Sequence, residues 1–200
     1  KGSNWQNISI IESKDGGDTW SAPRIVSQNG SGRDGMPVVV LLDGILYMAV
    51  ETSEPGTRLH PIVISSTLED NWQTPVLTDS PNRFHPFKSS LKSDVIYSGA
   101  PYIITTDNYI VYSYQIADIS DDKKENDSRH AAMEVQVCPK NEIKDGCFYT
   151  MRAATRPIEL DQWTETAVWN SLCDLGNDEI LAVSQYNGNV YIVRGRILIK

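Results

Sequence analysis

Three acidic residues raise the first chemical question. Glu51 closes the apolar run Leu46 to Val50, Asp34 precedes the run that starts at Pro37, and Asp118 follows the run Ile110 to Tyr114 by way of Gln115. Two carboxyl groups facing one space can divide the work of acid and base, one giving a proton while the other attacks or activates water. Residues suited to hold a polar ligand accompany them. Arg33, between Gly32 and the Asp34-Gly35 pair, carries a planar fork for a carboxylate or for hydroxyls. Tyr102 and Trp169 have flat faces for stacking, and Gln115, Asn170 and Gln185 bring both donors and acceptors. Each also has a plainer reading: a solvated strand-end Glu51, an Arg33 paired to Asp34, and aromatics that simply fill a core. The spacing of His60, His85, His130 and the three cysteines suggests no metal site, and nothing in the sequence calls for a cofactor.

Short strands must position these groups. Val38 to Leu42, Ile45 to Val50, Ile62 to Ile64, Ile103-Ile104 and Ile110 to Tyr114 are β-branched or aromatic runs bounded by Gly, Pro, Asn or Asp. Asp43-Gly44 and Asn187-Gly188 are tight-turn dipeptides. No amphipathic helix of useful length interrupts them, so the class is all-β. With 40% apolar and 22% charged residues in 200, the chain is globular rather than disordered. A formal charge of −8 argues against nucleic acid and anionic membrane surfaces, which reward clustered Lys and Arg. No apolar run approaches the roughly 20 residues that cross a bilayer. The N-terminus, Lys1 to Gln6, has no apolar signal core and no Met, and reads as a processed or cut end.

Repeats decide which all-β fold this is. The stretch Gly35 to Glu51 aligns without a gap on Gly99 to Gln115, 64 residues later, matching Gly35 with Gly99, Pro37 with Pro101, Asp43 with Asp107 and Glu51 with Gln115. A third copy, Trp169 to Gln185, lies 134 residues on, with Ser171 for the proline, Asn177 for the aspartate and Gln185 opposite Glu51. Each copy reads strand, tight turn, strand. A second element, Ser13 to Trp20 with Pro23 after it, returns 52 residues later as Ser65 to Trp72 with Pro75, having lost the Asp, Gly and Thr of its middle.

The intact copy has Ser13, Asp15, Gly17, Thr19 and Trp20 in the pattern Ser-x-Asp-x-Gly-x-Thr-Trp. It resembles the Asp-box, or BNR repeat, of sialidase-like β-propellers. Physically it is a folding device: Asp15 accepts from turn N–H groups, Gly17 permits a left-handed backbone, and Trp20 is expected to plug between neighbouring sheets. Both repeats together give four-stranded meanders, the unit of a propeller blade. Reading them out gives the outer strands of one blade at 5–30, a blade at 36–79, another at 99–158 with a charged loop from Asp118 to His130, and a last at 169–200. That is about three and a half blades, against six in sialidase-like propellers. The expectation is therefore one portion of a propeller, completed by the same longer chain or by another.

Meander geometry puts the Asp43-Gly44 turn and the Asp-box on one rim, and Arg33, Asp34, Glu51, Tyr102, Gln115, Trp169, Asn170 and Gln185 on the other, around the axis. Only one of the three equivalent positions, Glu51, is a carboxylate, so a shaped asymmetric site is expected. Glycoside hydrolysis ordinarily uses two carboxyl groups. Glu51 is the first candidate, and Asp118 or Asp34 the second. Within the superfamily, the run from Gly32 to Glu51, the run from Gly99 to Gln115 and Trp169-Asn170-Ser171-Leu172 are similar to exo-arabinanase-type glycoside hydrolases. That resemblance implies a six-bladed propeller and retaining hydrolysis by two axial glutamates, of which Glu51 matches one. Asp118 stands where an obvious second Glu would be expected.

Two functions follow as expectations. The first is a glycoside hydrolase of sialidase or exo-arabinanase type that removes terminal sugars, with carbohydrate as its partner. The second is a non-catalytic glycan-binding or protein-interaction propeller that keeps the scaffold. The 200-residue portion alone is expected to be inactive, lacking part of the ring. The triplets Asn7-Ile8-Ser9, Asn29-Gly30-Ser31 and Asn126-Asp127-Ser128 fit glycosylation acceptors, and a hairpin could bring Cys138 opposite Cys147. Both fit a secreted or periplasmic protein. Cys173 reads as a small core residue.

Overall fold

A computed structural model of the chain describes residues 6–30, 32–53, 59–84, 96–118, 130–143, 149–151, 166–186 and 189–198. No α-helix occurs among them. The short strands β1 (Ser9–Ile10) and β2 (Arg24–Ile25) pair with each other, and β3 (Ser27–Gln28) follows. Then come β4 (Arg33–Leu42), β5 (Ile45–Ser53), β6 (His60–Thr67), β7 (Val76–Leu77) and β8 (Arg83–Phe84). The second half holds β9 (Ile96–Thr105), β10 (Tyr109–Asp118), β11 (His130–Pro139), β12 (Tyr149–Met151), β13 (Thr166–Gly176), β14 (Glu179–Tyr186) and β15 (Asn189–Arg196). Three antiparallel sheets result, in the orders β4-β5-β6-β8, β9-β10-β11-β12 and β13-β14-β15.

The outer strand of the first large sheet lies later than the repeat suggests. Val76–Leu77 crosses away to pair in parallel with β3, and Arg83–Phe84 supplies the fourth strand instead. Two tight turns cause this: Ser80 N–H donates to Leu77 C=O at 3.1 Å and Arg83 N–H to Ser80 C=O at 3.0 Å, returning the chain to the sheet edge.

Side chains on β5 alternate between two cores. Tyr47 and Ala49 pack with Ile103, Ile110, Tyr112 and Tyr114 of the second sheet. Met48 and Val50 join Ile8, Val26, Ile62, Ile64, Trp72 and Val76 on the other side. The second sheet likewise meets the third through Val111, Met133, Val135 and Val137 against Leu172, Ile180 and Ala182. Each such large side chain, fully buried, stabilises the fold by about 1.5–3 kcal/mol. The far face of the third sheet is different: Val190 and Ile192 are 70% and 63% exposed. Cys173 is exposed rather than part of a core, because its neighbour Leu172 takes the packed face and strand alternation turns Cys173 away. Cys138 is buried, its thiol donating to Pro139 C=O at 3.3 Å; Cys147 lies outside the described residues.

The hairpin repeat recurs in backbone detail. Pairing of β4 with β5 shifts register between Gly35 and Val38, and pairing of β9 with β10 shifts between Ser113 and Gln115. Met36 and Ala100, equivalent in the two copies, sit at these bulges with φ of 53° and 46°. For residues with a Cβ this conformation costs on the order of 1 kcal/mol. At the opposite end, Asp43-Gly44 and Asn177-Asp178 both turn with positive φ at each residue, as a two-residue hairpin requires. Neighbouring turns clasp there: Thr106 Oγ1 donates to Asp178 Oδ1 at 2.8 Å, and Asn177 N–H donates to Asp107 Oδ2 at 3.0 Å. Desolvation pushes the Asp178 carboxyl up, but hydrogen bonds from Asn108 and Thr106 outweigh it and hold the group below its ordinary value.

In the Ser13–Trp20 turn, Asp15 accepts from Thr19 N–H at 2.9 Å and from the Thr19 hydroxyl at 2.6 Å, while Ser13 Oγ accepts from Gly17 N–H at 2.7 Å. The bonds to Asp15, the Thr19 hydroxyl first, then the Thr19 N–H and the Ser13 hydroxyl at 2.8 Å, lower its pKa to about 2. Trp20 does not plug between sheets. It is 59% exposed, and its indole N–H donates to Gly17 C=O at 3.0 Å, which lays the ring over its own turn. The equivalent Trp72 is the buried one, at 2% exposure.

Candidate functional site

Glu51 lies near the end of β5, opposite Gly35, and is 1% exposed. Its carboxylate is held from two sides. Arg33 Nη2 stands 3.0 Å from Oε1, and Ala100 N–H, from the next sheet, donates to Oε2 at 2.9 Å. Glycine at position 99 is obligatory for this approach, since a Cβ there would stand 2.2 Å from Glu51 Oε2. The same Cβ would meet Gln115 Nε2 at 3.3 Å, so Glu51 and Gln115, equivalent in the repeat, converge on Gly99. Tyr112 lies beneath, donating to Ile62 C=O at 3.1 Å; burial pushes its phenol well up and the Glu51 charge adds to that. Arg33 remains 34% exposed, and its Nε has no hydrogen-bond partner among the described residues. A carboxylate has about four acceptor sites and Arg33 five donors, so this pair keeps capacity for a further polar group.

Asp34 is turned the other way. It pairs with Thr52 in the β4–β5 register, one step from the Gly35–Glu51 pair, and adjacent strand positions face opposite sides. Its partner is Arg83, whose Nη1 and Nη2 each reach a carboxylate oxygen at 3.0 Å, with the Thr52 hydroxyl donating at 2.7 Å. Desolvation raises the Asp34 carboxyl, yet the Arg83 and Thr52 hydrogen bonds and the Arg83 charge prevail and leave it lowered. The Arg33–Asp34 pair open in the sequence is thus exchanged: Arg33 goes to Glu51 and Arg83 to Asp34. Arg83 was missed because it lies 49 residues away on an outer strand, with no motif around it.

The remaining candidates scatter. Asn170 Nδ2 donates to Ala100 C=O at 2.8 Å, and its Oδ1 accepts from Ser113 Oγ at 2.6 Å. Tyr102 is partly buried against the second-to-third sheet core. Asp118 is the last residue of β10, paired with Ile96, so the strand continues through it rather than stopping after Gln115. Trp169 belongs to β13 and Gln185 pairs with Val190; the side chains of Asp118, Trp169 and Gln185 lie outside the described ones. A further, partly buried carboxylate contact also escaped sequence reasoning. The Tyr114 hydroxyl donates to Glu134 Oε2 at 2.6 Å and accepts from Gln136 Nε2 at 3.2 Å, and burial, then the Glu134 charge, pushes the phenol far up. The one polar residue between Met133 and Val135 was its only signal. No group of three metal-ligating side chains occurs among the described residues.

No protein family and no curated protein matches the sequence. Solved structures do. The α-L-arabinanase of Penicillium chrysogenum, complexed with arabinobiose, is similar over 94% of this chain at 15% identity with a TM-score of 0.56. This chain spans about half of that enzyme, 51% of its length. The Trypanosoma rangeli sialidase with the inhibitor DANA matches 93% of this chain and 26% of its own, at 16% identity and a TM-score of 0.48. An endo-arabinase from Bacteroides thetaiotaomicron matches 99% and 88%, at 14% identity and a TM-score of 0.35. These neighbours are sialidase-like propeller glycoside hydrolases, and at 15% identity the likeness to the arabinanase is one of fold.

Proposed function

We propose, from this shared fold, that the chain forms about three and a half blades of a six-bladed propeller that removes terminal sugars as a secreted or periplasmic glycoside hydrolase of sialidase or exo-arabinanase type. The observation that carries the reading is Glu51: a carboxylate almost wholly buried at a strand end, oriented by Ala100 N–H and paired to the half-exposed Arg33. Glu51 acts as the axial carboxylate, as nucleophile or as acid–base, and Arg33 engages a carboxylate or hydroxyls of the sugar. Gln115, Tyr102 and the positions of Trp169 and Gln185 line the sugar's path. Asp118 is a better second carboxylate than Asp34, whose oxygens are occupied by Arg83 and Thr52. The exposed apolar face around Val190 and Ile192 supports further blades, from the same longer chain or another.

Sugar release by the full-length protein from sialyl and arabinosyl substrates tests the proposal. Glu51→Gln should lower turnover by about 10²–10⁴-fold, the range for loss of a positioned acid–base group; equal turnover would remove Glu51 from the mechanism. The 200-residue portion alone should be inactive. A second reading, a carbohydrate-binding propeller without turnover, is favoured by one fact: both Glu51 oxygens already hold a donor. Retained binding of both sugars with no release by the full-length protein would select it.

A further inference from the structure

The bulge residue Ala100 is gripped from both sides by neighbouring sheets. Its N–H donates to Glu51 Oε2 at 2.9 Å in the first large sheet, and its C=O accepts from Asn170 Nδ2 at 2.8 Å in the third. Asn170 Oδ1 in turn accepts from Ser113 Oγ at 2.6 Å, on a serine that is fully buried. Three sheets are thereby joined by one run of hydrogen bonds that ends on the carboxylate of the candidate site.

We infer that Asn170 is a positioning residue for Glu51, acting across two sheet boundaries by fixing the Ala100 backbone. Ala100 sits in the left-handed region, φ 46°, where a residue with a Cβ stays only if its surroundings hold it. Two bonds, one to each of its main-chain polar groups, do so. The repeat shows that the clasp is not a framework requirement. At the preceding junction the residues equivalent to Ser113 and Asn170 are Ala49 and Ala100, which have no side-chain hydrogen-bonding groups. Of the two junctions described, the polar pair stands at the one beside the sheet whose bulge contacts Glu51. Both ends of the Asn170 amide are thus engaged, and its role is to orient protein rather than ligand.

As a statement about catalysis this rests on the glycosidase reading of Glu51; as a statement about geometry it does not. The experiment therefore reads both, in the full-length protein, with Asn170→Ala and the milder Ser113→Ala. In Asn170→Ala the Ala100 amide should exchange about tenfold faster, as expected for loosening of one hydrogen bond, and the Ile103 and Val111 amides should not change. The ¹³C resonance of the Glu51 carboxyl should move, and Ser113→Ala should move both signals in the same direction by less. With turnover present, kcat should fall and KM should hold. Wild-type Ala100 exchange and an unmoved Glu51 resonance in a folded Asn170→Ala protein overturn the inference. If Asn170→Ala does not fold, the same two signals in Ser113→Ala decide. Absence of turnover in the wild type would overturn the glycosidase reading alone, leaving the resonances to judge Asn170.

Discussion

Asp34 and Glu51 belong to one hairpin, both are 1% exposed, and each stands 3.0 Å from an arginine. What separates them is the arginine. The Arg83 side chain is only 3% exposed, so the pair is closed and shares further bonds with Thr52 and Asn29. Arg33 is 34% exposed, and the other donor to Glu51 is a main-chain N–H from a different sheet. A ligand can compete for Arg33 without disturbing a core; nothing outside can reach Arg83. Burial of a carboxylate therefore does not mark a working site. Exposure of its counter-ion is what sets the proposed site apart.

The largest effect should come from the closed pair. Arg83→Leu leaves Asp34 buried without its cation and should cost about 3–5 kcal/mol in urea unfolding, whereas Arg33→Leu, at a position one-third exposed where water can replace the guanidinium beside Glu51, should cost less. Equal losses would break the distinction. Next, Gly99→Ala places a methyl 2.2 Å from Glu51 Oε2 and should cost about 1–3 kcal/mol as overpacking, with the larger consequence in sugar turnover or binding. A variant that keeps full stability and a wild-type Glu51 carboxyl resonance would show the approach to be looser than described. The smallest effect is one of pH. Because the folded Asp34 carboxyl is lowered, its stabilisation is complete above the ordinary unfolded value, near 3.9, and is lost as pH falls through the lower folded value. The stability gap between wild type and Asp34→Asn should therefore narrow below about pH 4; a constant gap from pH 7 to pH 3 would contradict the pairing.

The strands and hairpin turns were legible because the repeat is strict: Gly35 and Gly99, Pro37 and Pro101, and the Asp43-Gly44 turn occupy the places their types demand. Glu51 and Arg33 were legible as neighbours of the rim, since one ends an apolar strand and the other opens its partner. Their mutual bond was not. Sequence adjacency suggested Arg33 with Asp34, but adjacent strand residues point to opposite faces. The left-handed Ala100 was hidden as well, because alanine does not advertise φ above zero as glycine does. Trp20 misled for a different reason: the motif is satisfied by its own turn bonds whether or not a core lies beneath, and here the core took Trp72.

The clasp between hairpin turns, Thr106 with Asp178 and Asp107 with Asn177, has a mechanical meaning. Strands within each large sheet follow chain order, so the ladders of those sheets join segments close along the polypeptide, and such local pairing forms quickly. Among the described residues the second and third sheets share no ladder; side-chain packing and bonds such as these join them. Pulled from its C-terminal end, the molecule should yield sheet by sheet, with the Asp178 clasp, the Asn170 bonds and the shared apolar packing together resisting as the third sheet peels away.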